Sequence, residues 1–271
     1  MRSNHRAAGV RVGERKSIRR GQSQEFADHR PYVPGDDLRF LDWHLYGRLD
    51  TLWVKLFEEE SDRTIQLLLD CSASMHGEKI EYAKQVAGAL SFVALGQSDR
   101  VVIAGLNEAM SHYSPARRGR KATKPLFDTL VSMNANGQTD IPRAFDSVPR
   151  QRGASIRLFF TDFLFEDGIE PSLRKLRSRG GELHVFHLFS PSELHPSLRG
   201  DVLLVDQETG EEMAFSANPQ RLQQYTESVI RWADDIEAKC RKEGVGYSRL
   251  LTSVPVEELV MNDLRKQGIV S

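Results

Sequence analysis

Apolar strands that alternate with helices constrain this fold more than any other feature of the sequence. Three short runs are almost wholly apolar, as is typical of strands buried on both faces: TIQLLLD (64–70), DRVVIAGL (99–106) and SIRLFFTDF (155–163). Between the first two lies GEKIEYAKQVAGALSFVAL (77–95), whose apolar residues recur at helical spacing. Because strand and helix alternate, the sequence predicts an α/β fold with a mostly parallel sheet.

The rest of the sequence carries weaker signals for strands, helices and turns. Further strands are predicted at residues 51–57, 182–189 and 246–253, and a hairpin at residues 201–215. Helices are predicted at residues 125–133, 141–148, 170–180, 219–243 and 256–268, and a loop at residues 111–124. This order predicts a three-layer, doubly wound sheet of the Rossmann type.

The sequence predicts four segments along the chain. They are a flexible basic arm at residues 1–20, an N-terminal extension with a strand at 21–62, the main α/β domain at 63–252, and a helix packed on that domain at 253–271. The arm has seven Arg or Lys, one Glu and no helical or strand period, which indicates a solvated tail; an electrostatic contact is the alternative.

Composition excludes several classes of protein. The 271 residues include 37 Lys and Arg and 38 Asp and Glu, a balance that argues against a nucleic-acid-binding protein. The only cysteines, Cys71 and Cys240, are too few for a disulfide framework or a thiolate zinc site and suit a reducing compartment. No apolar run approaches the roughly 20 residues that span a bilayer, so we predict a cytoplasmic protein without a membrane span.

Oxygen-bearing side chains follow two of the predicted strands, and another lies in the loop before the helix that begins near Ile141. Asp70, Ser72 and Ser74 follow the strand that ends at Leu69, Asp162 follows the strand IRLFFT, and Thr139 opens a helix. Ligands collect at the carboxyl ends of strands in doubly wound sheets, so we expect these side chains to meet at one edge. Two carboxylates and three hydroxyls suit one hard cation, Mg²⁺ or Mn²⁺.

Helix capping is the alternative explanation for each of these residues. Ser or Asp before GEKIEYA could cap the helix that follows, and Thr139 or Asp140 could cap the helix that begins near Ile141. Capping does not explain why three separate segments supply oxygen atoms at the same edge. The sequence therefore favours a shared site over three independent caps.

The ordered series DCSAS, GQTD and TDF resembles the metal-ion-dependent adhesion site of von Willebrand factor A-like domains. The resemblance covers residues 63–252 and implies that Asp70, Ser72, Ser74, Thr139 and Asp162 surround a divalent ion, some of them through water. It further implies that one coordination position is left open for an acidic group of a protein partner.

The segment before this domain points to one particular family among proteins with such domains. Its pattern RPYVPGDD, followed by DW, is similar to the stretch that precedes the A-like domain in the bacterial domain-of-unknown-function family 58. Members of that family are commonly paired with MoxR-type AAA+ ATPases, so the resemblance implies such an ATPase or its client as partner. The charged and aromatic residues of this segment indicate an ion-pair network packed on an aromatic patch; a second binding surface is the alternative.

Three functions remain open at this point. The first is a metal-dependent protein-interaction module, which has no catalytic residues. The second is an Mg²⁺-dependent phosphoryl-transfer enzyme that uses Asp70 and Asp162, although Ser72 stands where such enzymes usually place a second carboxylate. The third is a scaffold that holds no metal.

A basic run lies in the predicted loop at residues 111–124. Its cations Arg117, Arg118, Arg120 and Lys121 are candidates for contact with an acidic partner. A solvated loop is the alternative explanation of the same residues.

Overall fold

The computed structural model describes residues 25–58, 63–138, 140–150, 154–164, 169–205 and 210–264. The chain divides into two compact units, Met1–Glu60 and Ser61–Ser271. The basic arm predicted at residues 1–20 lies outside the described residues. No helix among the described residues is both long and apolar enough to cross a membrane.

The described part of the first unit, residues 25–58, contains a two-stranded antiparallel sheet, a short 3₁₀ helix (Leu38–Phe40) and one α-helix. Its elements are β1 (Glu25–Pro31), α1 (Trp43–Leu49) and β2 (Trp53–Glu58). The sequence predicted only one strand in this extension, at residues 51–57, so β1 and α1 were missed. Helix α1 begins where the Asp42 carboxylate accepts hydrogen bonds from the backbone N–H groups of His44 and Leu45, a cap that outweighs the weak local periodicity.

Charged side chains of the first unit form ion pairs. Arg30 lies 2.6 Å from Asp36, and Asp42 lies 2.9 Å from the His29 ring and 3.4 Å from Lys55. The ion-pair network predicted for this segment is therefore present.

The second unit is built on a six-stranded sheet. The strands of the second unit are β3 (Thr64–Asp70), β4 (Arg100–Leu106), β5 (Met110–Arg117), β6 (Ser155–Thr161), β7 (Glu182–Phe189), β8 (Gly200–Val205), β9 (Glu212–Ala217) and β10 (Gly246–Leu251). Its helices are α2 (Glu78–Gly96), α3 (Thr123–Ser132), α4 (Ile141–Ser147), α5 (Ile169–Ser178), α6 (Pro191–Leu194), α7 (Pro219–Lys242) and α8 (Val256–Glu258), the last running into a π-helical turn (Leu259–Leu264). Strands β8 and β9 form the predicted hairpin, whose turn lies partly outside the described residues.

The six strands stand in the order β10-β7-β6-β3-β4-β5, and all neighbours are parallel except β4 and β5. Alternate residues of β3 face two cores: Leu67 and Leu69 pack with α2 and α3, whereas Leu68 packs with residues of α4 and α5. Helices therefore cover both faces of the sheet. This arrangement confirms the predicted α/β class with a mostly parallel sheet.

Two predicted elements differ from the structure. Strand β5 occupies much of the predicted loop, because an edge strand tolerates Pro115 and the polar residues around it. The helix predicted at residues 256–268 is α8 followed by the π-helical turn, and its last residues lie outside the described part. Leu259 and Val260, the first residues of this turn, are both buried in the core beside α2.

Candidate metal centre

The candidate site lies at the carboxyl edge of the sheet, between β3 and β6. These strands are parallel neighbours, and Asp70 is the last residue of β3 while Asp162 directly follows β6. The connection after β3 leads to β4 on one side, whereas the connection after β6 leads to β7 on the other, so the strand order reverses between β3 and β6. A crevice at such a switch point is the usual ligand site of doubly wound folds.

Asp70 is fully buried and held by two hydrogen bonds. Its Oδ1 accepts from the backbone N–H of Ser72 at 3.0 Å, and its Oδ2 accepts from the hydroxyl of Thr161 at 2.7 Å. Thr161 also accepts a hydrogen bond from the backbone N–H of Phe163. Thr161 was not predicted as a site residue, because in the sequence it reads as the last residue of an apolar strand.

The pKa of the Asp70 carboxyl is raised to about 7. Burial is the larger cause and the negative charge of Asp162 is the second, while hydrogen bonds from Ser72 and Thr161 act in the opposite direction. Two carboxylates therefore repel each other in a region from which water is largely excluded. A cation between them would relieve that repulsion.

Ser72 and Ser74 connect the Asp70 loop to Asp162. Their Oγ atoms lie 3.0 Å apart, and the Ser74 hydroxyl donates to Oδ1 of Asp162 at 3.2 Å. Helix α2 begins after Gly77, without a side-chain cap. The capping interpretation is therefore wrong for these two serines.

Asp162 sits on a sharply turned backbone. Its Oδ1 accepts a hydrogen bond from the backbone N–H of Leu164, and Phe163 between them has a φ of 58°. A large side chain rarely adopts this left-handed conformation, and such strain clusters at functional sites.

The loop before Thr139 is tied to the Asp70 loop through the backbone. The N–H of Ala73 donates to the carbonyl of Gly137 at 2.9 Å, and the N–H of Asn136 donates to the carbonyl of Cys71 at 2.8 Å. Thr139 itself lies outside the described residues. Asp140 caps α4 by accepting from the N–H of Arg143, as the capping interpretation predicted.

A buried lysine in the same region was not predicted from the sequence. Lys79 in the first turn of α2 is 6 % exposed, and its Nζ lies 2.6 Å from Oδ2 of Asp162 and 2.5 Å from Oε1 of Glu193. Burial acts to lower the pKa of Lys79, but the two carboxylates outweigh it and raise that pKa. Glu193 could have been found from the motif SPSE, since Ser190 and Glu193 form a capping box at the start of α6.

A buried histidine contacts the backbone of Asp162. His187 Nε2 lies 3.1 Å from the carbonyl oxygen of Asp162, and its Nδ1 lies 2.7 Å from the hydroxyl of Tyr247. Burial lowers the pKa of His187 to about 3, so the ring is neutral and we assign the Nε2 proton to the bond with Asp162. His184 contacts Ser248 instead, so the two histidines have separate partners.

The basic run lies away from this edge. Arg117 is the last residue of β5 and pairs with Val101 near the amino end of β4, and the exposed Arg120 and Lys121 follow in a short 3₁₀ turn. Arg118 lies between them. Asp70 pairs with Leu106 at the other end of β4. The basic run and the candidate metal centre therefore lie at opposite ends of this strand.

The described side chains fit a hard divalent cation. Among described residues no three His, Cys, Asp or Glu side chains form a metal-binding cluster. The candidate donor set is two carboxylates and two hydroxyls, which hydrogen bonds link to one another. All four donors are oxygen, the ligand type that Mg²⁺ prefers.

Comparisons with known proteins identify relatives of this chain. The chain is 26 % identical over 253 residues to the uncharacterized protein Rv1480 of Mycobacterium tuberculosis, a match that covers 90 % of this chain and 80 % of that protein. An uncharacterized protein of Mycobacterium bovis, Mb1516, matches to the same extent.

Solved structures with a similar arrangement are distant in sequence. BatB, a conserved hypothetical protein from Bacteroides thetaiotaomicron, aligns with a TM-score of 0.46 at 15 % identity over 76 % of this chain and 98 % of that one. The vWF domain of the type V pili tip protein Mfa5 from Porphyromonas gingivalis aligns with a TM-score of 0.41 at 9 % identity over 78 % and 97 %.

A family match covers most of the chain. The family described as "Protein of unknown function DUF58" matches residues 28–232, which include β3, β6 and the candidate metal centre between them. The chain belongs to this family.

Proposed function

We propose that this protein is a metal-dependent protein-recognition module. One Mg²⁺ or Mn²⁺ ion is held by Asp70, Ser72, Ser74 and Asp162, with Thr139 as a further ligand, and receives a carboxylate from a partner protein. The partner is a MoxR-type AAA+ ATPase or its client, as the family resemblance implies.

The continuous contact between the two loops carries this proposal. The hydroxyl of Ser72 is hydrogen-bonded to that of Ser74 at 3.0 Å, and Ser74 donates to the Asp162 carboxylate at 3.2 Å. The carboxylate of Asp70 is held by a hydrogen bond from Thr161. Because Ser74 and Asp162 are 88 residues apart in sequence, local helix capping does not account for their contact.

The chemistry of the ligands supports recognition rather than catalysis. Serine hydroxyls are neutral ligands, so a divalent ion bound here would keep more positive charge than one in a site of carboxylates alone. That charge attracts an acidic group of a partner. Asp70 is fully buried with both carboxylate oxygens hydrogen-bonded, which argues against a nucleophilic role.

Calorimetric titration with Mg²⁺ and Mn²⁺ tests the metal site. We expect the intact protein to bind one ion and Asp70→Asn to lose at least tenfold in affinity, because the amide removes a charged ligand of nearly the same shape. Asp140→Asn is the matched control, because it removes a carboxylate that caps α4. This variant should bind Mg²⁺ and Mn²⁺ with the same affinity as the intact protein. Equal binding by the intact protein and Asp70→Asn would refute the site.

Capture of partners from a native extract tests recognition. We expect an ATPase or its client to be retained in Mg²⁺ and released by a chelator, and Asp70→Asn to retain neither. Phosphatase turnover by the intact protein that Asp70→Asn abolishes would instead establish the phosphoryl-transfer enzyme.

A further inference from the structure

Helix α3 carries apolar side chains on its outer side as well as on its inner side. Leu126 and Leu130 are buried in the core that also contains residues of α2, as expected of a helix that covers a sheet. Phe127 and Val131 stand one turn apart on the outer side, where they are 39 % and 76 % exposed. A surface helix normally presents polar residues to solvent, so the apolar outer side of α3 requires an explanation.

The neighbouring helix α2 extends this apolar surface. A Cβ atom at Gly88 would lie 3.8 Å from the ring of Phe127, so the two helices pack side by side at this point. Phe92 follows Gly88 by one helical turn on the same side of α2, and it is 58 % exposed. We call Phe92, Phe127 and Val131 the α2–α3 patch. Single exposed apolar side chains need no explanation, whereas a group of them on two packed helices marks a candidate interaction surface.

The basic run predicted from the sequence lies beside the α2–α3 patch. Arg120 and Lys121 stand in the 3₁₀ turn that leads into α3 and that also packs against α2, and both side chains are exposed. Residues 117–132 contain five Lys or Arg and a single acidic residue, Asp128, which pairs with Lys124 at 2.7 Å. The amino-terminal side of the patch therefore carries an excess of positive charge.

These cations do not stabilise the helix that they precede. Positive charge at the amino end of a helix is disfavoured by the helix dipole, and α3 has neither an acidic residue in its first turn nor a side-chain cap. The sequence therefore places cations where they cost stability in the isolated chain. Carboxylates supplied by another molecule would offset that cost.

Charge also distinguishes the molecules that this surface could bind. Glu78 and Glu81 are exposed in the first turn of α2, and Glu81 lies on the same side of the helix as Phe92. A wide anionic membrane laid on this face would meet these carboxylates, whereas a narrow partner on the patch would not. A second copy of the chain would bring its own excess of cations and be repelled.

We propose that the α2–α3 patch docks an acidic amphipathic helix of a partner protein. Apolar side chains three or four residues apart on that helix pack on Phe92, Phe127 and Val131, and its carboxylates pair with Arg120 and Lys121. The basic end of the surface lies near the amino end of β4, and the candidate metal centre lies near its carboxyl end. The docking surface is therefore separate from that centre and stands whether or not a metal binds there.

Fluorescence anisotropy with a designed peptide tests the docking surface. The probe is a labelled peptide of roughly 20 residues, with leucine at helical spacing and glutamate at most other positions. We expect saturable binding to the intact protein that weakens as salt is added. A peptide of the same composition with irregularly spaced leucines should bind roughly fivefold more weakly, because it has no apolar face. Equal binding of both peptides would overturn the proposal.

Variants of the exposed residues locate the binding surface. Val131→Ser should still fold, because this side chain is 76 % exposed, and should weaken binding by roughly five- to tenfold. Ile230→Ser, at an exposed apolar residue of α7, is the matched control and should bind as the intact protein does.

A charge reversal tests the basic side of the surface. Arg120→Glu/Lys121→Glu should lose at least about tenfold in affinity at low salt. Arg221→Glu/Arg231→Glu makes the same change of net charge at exposed positions of α7 and should lose much less. Equal affinities of the two double variants would show that the peptide follows net charge alone and would refute the surface.

Vesicle binding and self-association test the other occupants, and we expect neither at this surface. Binding to phosphatidylglycerol vesicles that Arg120→Glu/Lys121→Glu abolishes, without binding of the peptide, would assign the surface to a membrane and overturn the proposal. A dimer in analytical ultracentrifugation that Val131→Ser dissociates would assign the patch to a second copy and would also overturn it.

Discussion

Lys79 places a positive charge between two carboxylates in the interior of the second unit. Its ammonium group contacts both Asp162 and Glu193, and all three side chains are wholly or largely removed from water. A buried pair of this kind contributes little net stability when intact, but is costly to break, because the remaining charges have no partner. Lys79 therefore controls how much negative charge the candidate metal centre presents.

Removal of the lysine should have opposite effects on folding and on metal binding. We expect Lys79→Met to lower the free energy of unfolding by about 3–5 kcal/mol in chelator, because Asp162 and Glu193 are then left unpaired. We expect the affinity for Mg²⁺ to rise by roughly tenfold, because a competing cation has been removed. Denaturant titration and calorimetry measure the two quantities.

The double variant Lys79→Met/Glu193→Gln is the control for this prediction. It removes one positive and one negative charge, and the amide oxygen of the new glutamine side chain can still accept the hydrogen bond from the backbone N–H of Ser190. Part of the lost stability should return. If Lys79→Met alone were as stable as the intact protein, the ion pairs of Lys79 would not stabilise the fold.

Individual site residues differed in how well they could be predicted from the sequence. Asp70, Ser72, Ser74 and Asp162 were predicted to meet, and the described contacts join them, because polar residues directly follow two apolar strands. Lys79 could not be found in this way. It stands beside Glu78 and Glu81 in the first turn of α2, where its burial depends on a residue more than eighty positions away.

At the scale of elements, α4 carries the loop that leads to the candidate metal centre. Asp140 caps this helix by accepting from the N–H of Arg143, and its own N–H donates to the carbonyl of Asn107. The cap therefore fixes the start of α4 next to Asn107.

Loss of this cap should weaken the helix without the loss of a metal ligand. We expect Asp140→Ala to lower the free energy of unfolding by about 1 kcal/mol, whereas Asp140→Asn should cost little, because Asn is an equally good N-cap. Denaturant titration of the three proteins measures this difference. A loss in Asp140→Asn as large as in Asp140→Ala would mean that the charge, rather than the cap, matters.

Elements with strong periodicity were predicted well, and those fixed by single contacts were not. Strands β3, β4, β6 and β7 follow from their apolar runs. Strand β5 was missed because an edge strand needs only one partner and permits Pro115. Helix α1 was missed because its start depends on the carboxylate of Asp42 rather than on an apolar stripe.

At the scale of the whole molecule, buried titratable groups decide how stability changes with pH. Burial lowers the pKa of His184 from 6.5 to about 4 and that of His187 from 6.5 to about 3. The folded state keeps both rings neutral while the unfolded chain takes up protons, so their contribution is complete above pH 6.5 and declines below it. Asp70 acts in the opposite sense, because its raised pKa favours the folded state at low pH.

The histidine contribution can be isolated with one variant. We expect stability to fall between pH 6.5 and about 4, each buried histidine adding a slope of up to about 1.4 kcal/mol per pH unit. His184→Gln should reduce that slope and retain a hydrogen-bonding group near Ser248. Denaturant titrations across this range measure the slopes, and the exposed His76→Gln is the control. Identical slopes for the intact protein and His184→Gln would refute the assignment.

The contact between Ser74 and Asp162 also has a consequence for folding kinetics. It joins positions 88 residues apart, and the bond from Thr161 to Asp70 spans 91. Contacts of such long sequence separation must overcome the entropy of a large chain loop, so they form only when the strands between them have paired. A chain that ends before β6 contains the complete DCSAS motif yet lacks the partner that completes the donor set. The proposed metal site would therefore form late in folding, and its formation would report that the sheet is assembled.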